Sequence, residues 1–408
     1  MLPFVLLSAL VATVAFVVTV LATPVVRRVA LARAWTDAPD GQRKLHKQIT
    51  PSAGGIAIFA GVAAATLMLQ GMQLMGLAAS PLEPFVYVGA VLIVLLGATD
   101  DIKGLGFKTK LAVEIVVAFG LLHAGLRVDL SAIPFVGDDI YLNALYSVPV
   151  TILWVVGVMN AVNLIDGIDG LASGVVAIAF ASLALAYGLN GHLWLVLVAL
   201  AFVGALAGFL VHNFNPASIF MGDSGSLFLG YALAVYTLSG PMQENGIVSP
   251  VLPLLALGLP LLDTSLSMVR RVVTRRAIMA PDHDHIHHRM SGMMSTRKAV
   301  VSLYLLSAVF GLLAVLADSA RGSAALIAVG CAAALATGLL IRLGYVRMPY
   351  APPTLEPIPP PAHLQPPARP ASDEAAPDGS DPSEPGVARE PGLGELEAVE
   401  PPAVTSSA

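Results

Sequence analysis

Five short polar stretches interrupt an otherwise apolar chain, and their residue types suit chemistry on phosphates. In GATDDIKGLGFKTK, Asp100 and Asp101 are followed by Lys103, Lys108 and Lys110. Adjacent acids on a helix point about 100° apart, so the pair makes a broad negative edge with countercharge nearby. Read alone, it is equally a helix end with solvated charges. In NAVNLIDGIDGLASG, Asp166 stands three residues before Asp169, which places both on one side of a helical turn. Gly167, Gly170 and Gly174 permit close backbone approach or positive φ, and Asn160 and Asn163 add neutral ligands. Such an oxygen-rich set suits Mg²⁺, a hard cation that joins one or two carboxylates to substrate phosphates. The plainer alternative is an Asp/Gly turn.

The third stretch, NFNPASIFMGDSGSLFLG, holds Asp223 among small residues. Gly222, Ser224, Gly225 and Ser226 are expected to turn backbone N–H groups toward a phosphate, with Asp223 or Ser224 capping a helix start. No GxxxxGK[ST] loop occurs, which excludes a P-loop nucleotide hydrolase. The fourth, RRVVTRRAIMAPDHDHIHHRM, carries His283, His285, His287 and His288 beside Arg289 and two upstream arginine pairs. Zinc is the rival reading, but HExxH spacing is missing and the single cysteine, Cys331, lies in an apolar run. Guanidinium forks match phosphate oxygens, so a cationic rim for a diphosphate fits better. The fifth, DAPDGQRKLHKQITPSAGGIAIF, brings His46 and Lys47 to Thr50, Pro51, Ser52, Gly54 and Gly55. Alone it reads as a basic segment beside anionic headgroups.

The elements that position these stretches follow from composition. Of 408 residues, 56% are hydrophobic and only 12% charged, with a mean hydropathy of +0.78. A soluble domain is about 45–50% apolar and about 25% charged, so a water-soluble enzyme is excluded. One cysteine excludes a disulfide scaffold, and a net charge of −5 argues against nucleic acid as a partner. Crossing a bilayer takes about 20 apolar residues in helical form. Eleven runs qualify, with ends uncertain by several residues: 2–23, 52–75, 84–99, 110–126, 144–162, 170–189, 192–211, 225–239, 247–268, 299–317 and 323–343. The expected fold is an all-α polytopic integral membrane protein of about 11 transmembrane helices.

Charge gives the orientation. With the loops after odd-numbered spans inside, 20 of 22 Lys and Arg fall on the cytoplasmic side, leaving Arg127 and Arg321 outside. The N-terminus is then periplasmic. Basic residues follow span 1 instead of preceding it, so it reads as a retained helix and not a signal peptide. A mid-bilayer carboxylate costs about 2.5–3.5 kcal/mol. Asp100, Asp101, Asp166, Asp169 and Asp223 all avoid that by sitting at cytoplasmic span ends, with Asp263 slightly deeper. Residues 1–348 form the membrane domain. Residues 351–408 carry ten acids, two arginines and 15 of the 30 prolines, so 349–408 reads as a disordered acidic cytoplasmic tail.

Together and in this order, the DD pair, NxxNLIDGIDGLA, FMGDSGS and HIHHR resemble the polyprenyl-phosphate N-acetylhexosamine-1-phosphate transferases over roughly residues 24–300. The resemblance implies a Mg²⁺-dependent enzyme of the bacterial cytoplasmic membrane, with Mn²⁺ as a substitute. It would transfer N-acetylhexosamine-1-phosphate from a UDP-sugar to undecaprenyl phosphate and release UMP, with the bilayer and a second copy of the chain as further partners. It also implies Asp223 and Asn163 as metal ligands, and Asp100, Asp101 and Lys110 as catalytic groups. Lys47, Asp166, Asp169, Phe220, His285, His287, His288 and Arg289 would bind substrate. HIHHR favours the N-acetylglucosamine branch over the muramoyl-pentapeptide branch, which tends to carry three consecutive histidines. A secondary transporter would place its acids nearer the midplane within repeated halves, and no repeat is seen. An intramembrane zinc hydrolase and a non-catalytic scaffold are the other rivals.

Overall fold

The computed structural model describes residues 2–37, 50–74, 84–128, 140–240, 251–275, 284–319 and 323–345. Lys47, His283 and the stretch 349–408 lie outside these residues. Each of the eleven apolar runs holds helix. In chain order these are α1 (Leu2–Ala32), α2 (Gly54–Leu74), α3 (Pro84–Lys103), α4 (Phe107–His123), α5 (Ile140–Ile165), α6 (Leu171–Leu189), α7 (Leu193–Asn213), α8 (Asp223–Leu238), α9 (Val251–Ala256), α10 (Gly258–Val273), α11 (Ile286–Met293), α12 (Thr296–Ser319) and α13 (Ser323–Arg342). Two short strands, β1 (Thr36–Asp37) and β2 (Thr50–Pro51), pair antiparallel.

Among the described residues eight helices, α1, α2, α3, α5, α6, α7, α12 and α13, are long and apolar enough to cross a membrane. The chain is an all-α, multi-pass membrane protein. Helices α4, α8 and α10 are shorter, at 17, 16 and 16 residues.

The ninth run differs from its expected form. It breaks at Leu257 into α9 and α10, where one continuous span was expected. Pro260 supplies the reason. In an unbroken helix it would owe a hydrogen bond to Ala256 and press its ring on that carbonyl, whereas in the first turn of α10 no such bond is needed. Helix α11, which carries the histidines, lies in what the sequence read as loop.

Helix α8 is the axis of the packing. It contacts α2, α3 and α5, and every residue from Ser224 to Thr237 is buried, as expected of a helix that is apolar all round. Helices α6 and α7 continue this core, flanked by α1 and α12. At the periphery large apolar side chains face outward, including Leu326 at 74% exposure and Val273 at 76%, which suits a hydrocarbon surround.

Two glycines let neighbours reach the start of α8. A Cβ on Gly55 would stand 2.0 Å from the Gly225 nitrogen, and one on Gly97 would stand 2.4 Å from the Asp223 carbonyl oxygen. Both contacts are with backbone, so no side-chain movement could relieve them. The N-terminus of α8 is thereby wedged between α2 and α3.

Candidate active site

Asp101, near the end of α3, caps α8 from outside. Its carboxylate accepts the Asp223 N–H at 2.7 Å and the Ser224 N–H at 3.1 Å. A carboxylate at a helix N-terminus satisfies orphan donors and complements the helix dipole. Gly222 is the N-cap residue, with φ of 73°, and a Cβ there would meet the Asp101 carboxylate at 2.6 Å. This corrects two expectations. The cap is neither Asp223 nor Ser224, and these backbone donors are not open to a phosphate. The N–H groups of Gly225 and Ser226 both return to the Gly222 carbonyl, at 3.1 and 3.0 Å.

The Asp223 side chain is held by two other helices. Lys110, in the first turn of α4, donates to Asp223 Oδ2 and to Asp100 Oδ2, at 2.9 Å each. Asp100 also accepts the Leu105 N–H, which fixes the turn between α3 and α4. Asn163 on α5 donates to Asp223 Oδ1 at 3.0 Å and to Ser226 Oγ at 2.9 Å. One ammonium thus bridges two carboxylates that would otherwise repel. Glu114, one turn after Lys110, is buried and accepts Asn160 Nδ2 at 2.7 Å. Sequence reasoning missed Glu114, although an acid inside the fourth apolar run was a readable signal.

The loop between α5 and α6 uses its two acids differently. Asp169 Oδ2 accepts Asn215 Nδ2 at 2.9 Å and the Ala217 N–H at 3.0 Å, so this carboxylate secures the turn after α7. Asn213 ties the same turn to α6 by accepting from Gly170 N and Ser173 Oγ and donating to the Ile219 carbonyl. Asp166 is half-buried beside the cluster. Burial, then the like charges of Asp223, Asp101 and Asp169, push its carboxyl up to about 8. The glycines do what their spacing allowed: Gly170 has φ of 80°, and a Cβ on Gly167 would stand 2.3 Å from His287 Nε2. Phe220 pairs by backbone with the start of α2, its N–H donating to the Pro51 carbonyl and its carbonyl accepting from Gly54.

The histidines gather at α11. His285 and His287 are buried and their rings stack at 5.4 Å, while His288 lies 4.3 Å from His287. Contact between His287 and Gly167 joins this group to the Asp/Gly loop. Arg289 points elsewhere. It forms a two-pronged ion pair with Asp284, donates to the Leu343 carbonyl at 2.6 Å and lies over the Tyr345 ring at 3.9 Å. Tyr345 donates to the Asp284 carbonyl at 2.7 Å, completing a clamp between α11 and the end of α13. Neither Asp284 nor Tyr345 was singled out from the sequence.

Five expected residues, Asp100, Asp101, Lys110, Asn163 and Asp223, therefore meet in one network drawn from α3, α4, α5 and α8. Comparison with known proteins gives the family. The family model described as "Glycosyl transferase family 4" matches residues 84–240. A Bacillus subtilis (strain 168) protein named "Probable undecaprenyl-phosphate N-acetylglucosaminyl 1-phosphate transferase" is 38% identical over 312 residues, covering 75% of this chain and 85% of the relative. The chain belongs to glycosyl transferase family 4. A family 4 relative from Mycolicibacterium smegmatis (strain ATCC 700084 / mc(2)155), named "Decaprenyl-phosphate N-acetylglucosaminephosphotransferase", is 37% identical and covers 73% of this chain and 79% of its own. The Escherichia coli (strain K12) "Undecaprenyl-phosphate alpha-N-acetylglucosaminyl 1-phosphate transferase" is 27% identical over 72% of this chain and 79% of its own.

The cluster around Asp223 presents carboxylate and amide groups beside the Lys110 ammonium. Among the described residues no three His, Cys, Asp or Glu side chains converge as a ready-made metal cage. A hard cation needs only one or two carboxylates when substrate phosphates and water complete its shell. Asp223 offers the carboxylate, and a flip of the Asn163 amide would turn its oxygen toward the same point.

Proposed function

We propose that this chain transfers N-acetylglucosamine-1-phosphate from UDP-N-acetylglucosamine to a polyprenyl phosphate, in the manner its relatives' names describe, and so starts a cell-envelope polysaccharide. The observation that carries the reading is the Asp100–Lys110–Asp223–Asn163 network, set at the ends of apolar helices where a lipid phosphate and a soluble nucleotide can meet. An oxygen of the lipid phosphate attacks the β-phosphorus of the nucleotide sugar. The bond from that phosphorus to the bridging oxygen breaks, and UMP leaves with it. Undecaprenyl phosphate is the proposed acceptor.

Phosphoryl transfer depends mainly on positioning and on cations that offset developing charge. Lys110 supplies a fixed ammonium, and His285, His287 and His288, when protonated, would supply hydrogen-bond donors across the Asp/Gly loop. Asp223 and Asn163 would hold Mg²⁺, with Mn²⁺ as a substitute, and the ion when bound would neutralise phosphate oxygens. A phosphate monoester is largely dianionic near neutral pH, so no strong base is required. Of the acidic pair, Asp100 shares Lys110 with the cluster and is assigned to the acceptor side. Asp101, engaged by the backbone of α8, is a positioning residue. Asp166 and Phe220 are assigned to the nucleotide pocket, and Asp169 shapes its wall by holding the turn after α7.

The proposed membrane arrangement has eleven spans, counting the short helices α4, α8 and the α9–α10 pair, in the bacterial cytoplasmic membrane. The N-terminus is outside and the site inside. Purified protein incubated with undecaprenyl phosphate, Mg²⁺ and a panel of UDP-sugars should release UMP and form a lipid diphosphate sugar with UDP-N-acetylglucosamine. Absence of UMP release with every UDP-N-acetylhexosamine would refute the reading.

A further inference from the structure

Asp263 on α10 has no role in the reaction as described, yet it is only 2% exposed and fully engaged. Its Oδ1 accepts the Ile286 N–H at 2.7 Å, which caps α11. Its Oδ2 lies 3.0 Å from His285 Nδ1 and 3.5 Å from His287 Nδ1. A carboxylate only accepts, so the hydrogen at the His285 contact belongs to Nδ1. The same oxygen attracts a hydrogen on His287 Nδ1. Each ring then presents Nε2 on its far edge, as a lone pair when neutral and as a donor when protonated. His287 is 2% exposed, and among the described residues neither of its ring nitrogens completes a hydrogen bond: Nδ1 stands 3.5 Å from Asp263, and Nε2 faces Gly167 in the Asp/Gly loop. A buried polar atom in that condition is costly unless something else completes it.

We propose that Asp263 is a positioning residue: one carboxylate fixes the start of α11 and the Nδ1–H form of His285, and draws His287 to the same form, so that the Nε2 edge of His287 is set toward the loop that carries Asp166. This rests on the transferase reading only for its consequence in turnover. The arrangement of the rings stands independently of it.

Substituting Asp263→Asn separates capping from ring control. The amide oxygen still accepts the Ile286 N–H, while the amide NH₂ faces the two Nδ1 atoms and drives the hydrogen to Nε2. Protein labelled with ¹⁵N-histidine should show two rings in the Nδ1–H form, the His285 one hydrogen-bonded, that convert to the Nε2–H form in Asp263→Asn, with an unchanged melting temperature. Turnover of UDP-N-acetylglucosamine should fall at least tenfold in kcat with a smaller change in KM, and Asp263→Glu should recover part of it. Gly167→Ala should shift the His287 signals alone. An unchanged histidine spectrum in Asp263→Asn overturns the proposal whether or not the protein turns over. A changed spectrum with wild-type kcat overturns its link to catalysis. Should the wild-type protein show no transferase activity, the spectra still decide the structural claim.

Discussion

Two helix starts, those of α8 and α11, are built with the same device and charged oppositely. Each is capped by a carboxylate from another helix, Asp101 on α3 for α8 and Asp263 on α10 for α11. Asp101 takes two backbone N–H groups, and the side chain it thereby places is another acid, Asp223, paired with Lys110. Asp263 takes one backbone N–H and places imidazoles. Backbone donors cannot change form, whereas an imidazole can move its hydrogen between ring nitrogens. The first cap is therefore rigid in its chemistry and the second adjustable. One start suits a cation and the other suits phosphate oxygens, and Gly167 lets the loop between them close the distance.

The sharpest break in this comparison is Asp223→Ala. It removes the acid that α8 presents while leaving the cap intact, and UMP release should fall by about 10³-fold or more with little change in thermal stability. Asp101→Asn comes next. Its amide can satisfy only one of the two N–H groups, so the protein should lose about 1–2 kcal/mol of stability and kcat should drop together with it. That contrasts with Asp263→Asn, where the imidazole adapts and stability holds; equal melting temperatures for both variants would erase the distinction.

Asp166→Asn tests the ground between the two starts. The carboxyl is raised from 3.8 to about 8, so folding disfavours its ionised form and the neutral form's contribution is lost as pH climbs through 8. The variant should melt ~2–4 °C above wild type at pH 9 without divalent ions, and the two should coincide near pH 4. Added Mg²⁺ should narrow the gap at high pH by favouring the ionised carboxylate. The smallest effect belongs to the clamp behind α11. Tyr345→Phe removes its bond to the Asp284 carbonyl and should cost about 0.5–1.5 kcal/mol in thermal denaturation, with KM unaffected.

Much of this was legible in the sequence, because apolar runs must be helices in lipid and acids must avoid the midplane. The grouping of Asp100, Asp101, Lys110, Asn163 and Asp223 followed from those constraints together with the resemblance. What escaped were the partners that particular residues find in the folded chain. The spacing around Asp223 suggested free backbone donors, since nothing in MGDSG reveals that Asp101 occupies them. Arg289 read as part of a phosphate rim, because its partner Asp284 looked like one more charge in a polar loop. The break at Leu257 needed Pro260 to be weighed against hydropathy, and hydropathy alone favours one span. Glu114 was passed over because a single acid one turn from a lysine looks like an ordinary helical pair.

Gly55, Gly97 and Gly225 look like tokens of looseness in a sequence, yet here they mark where main chains touch. A helix end pressed against two others at that range has nowhere to travel. The acids it carries hold their relative places by steric exclusion and not by the balance of their charges. The pocket's dimensions at this end should therefore be the same whether it is empty or full.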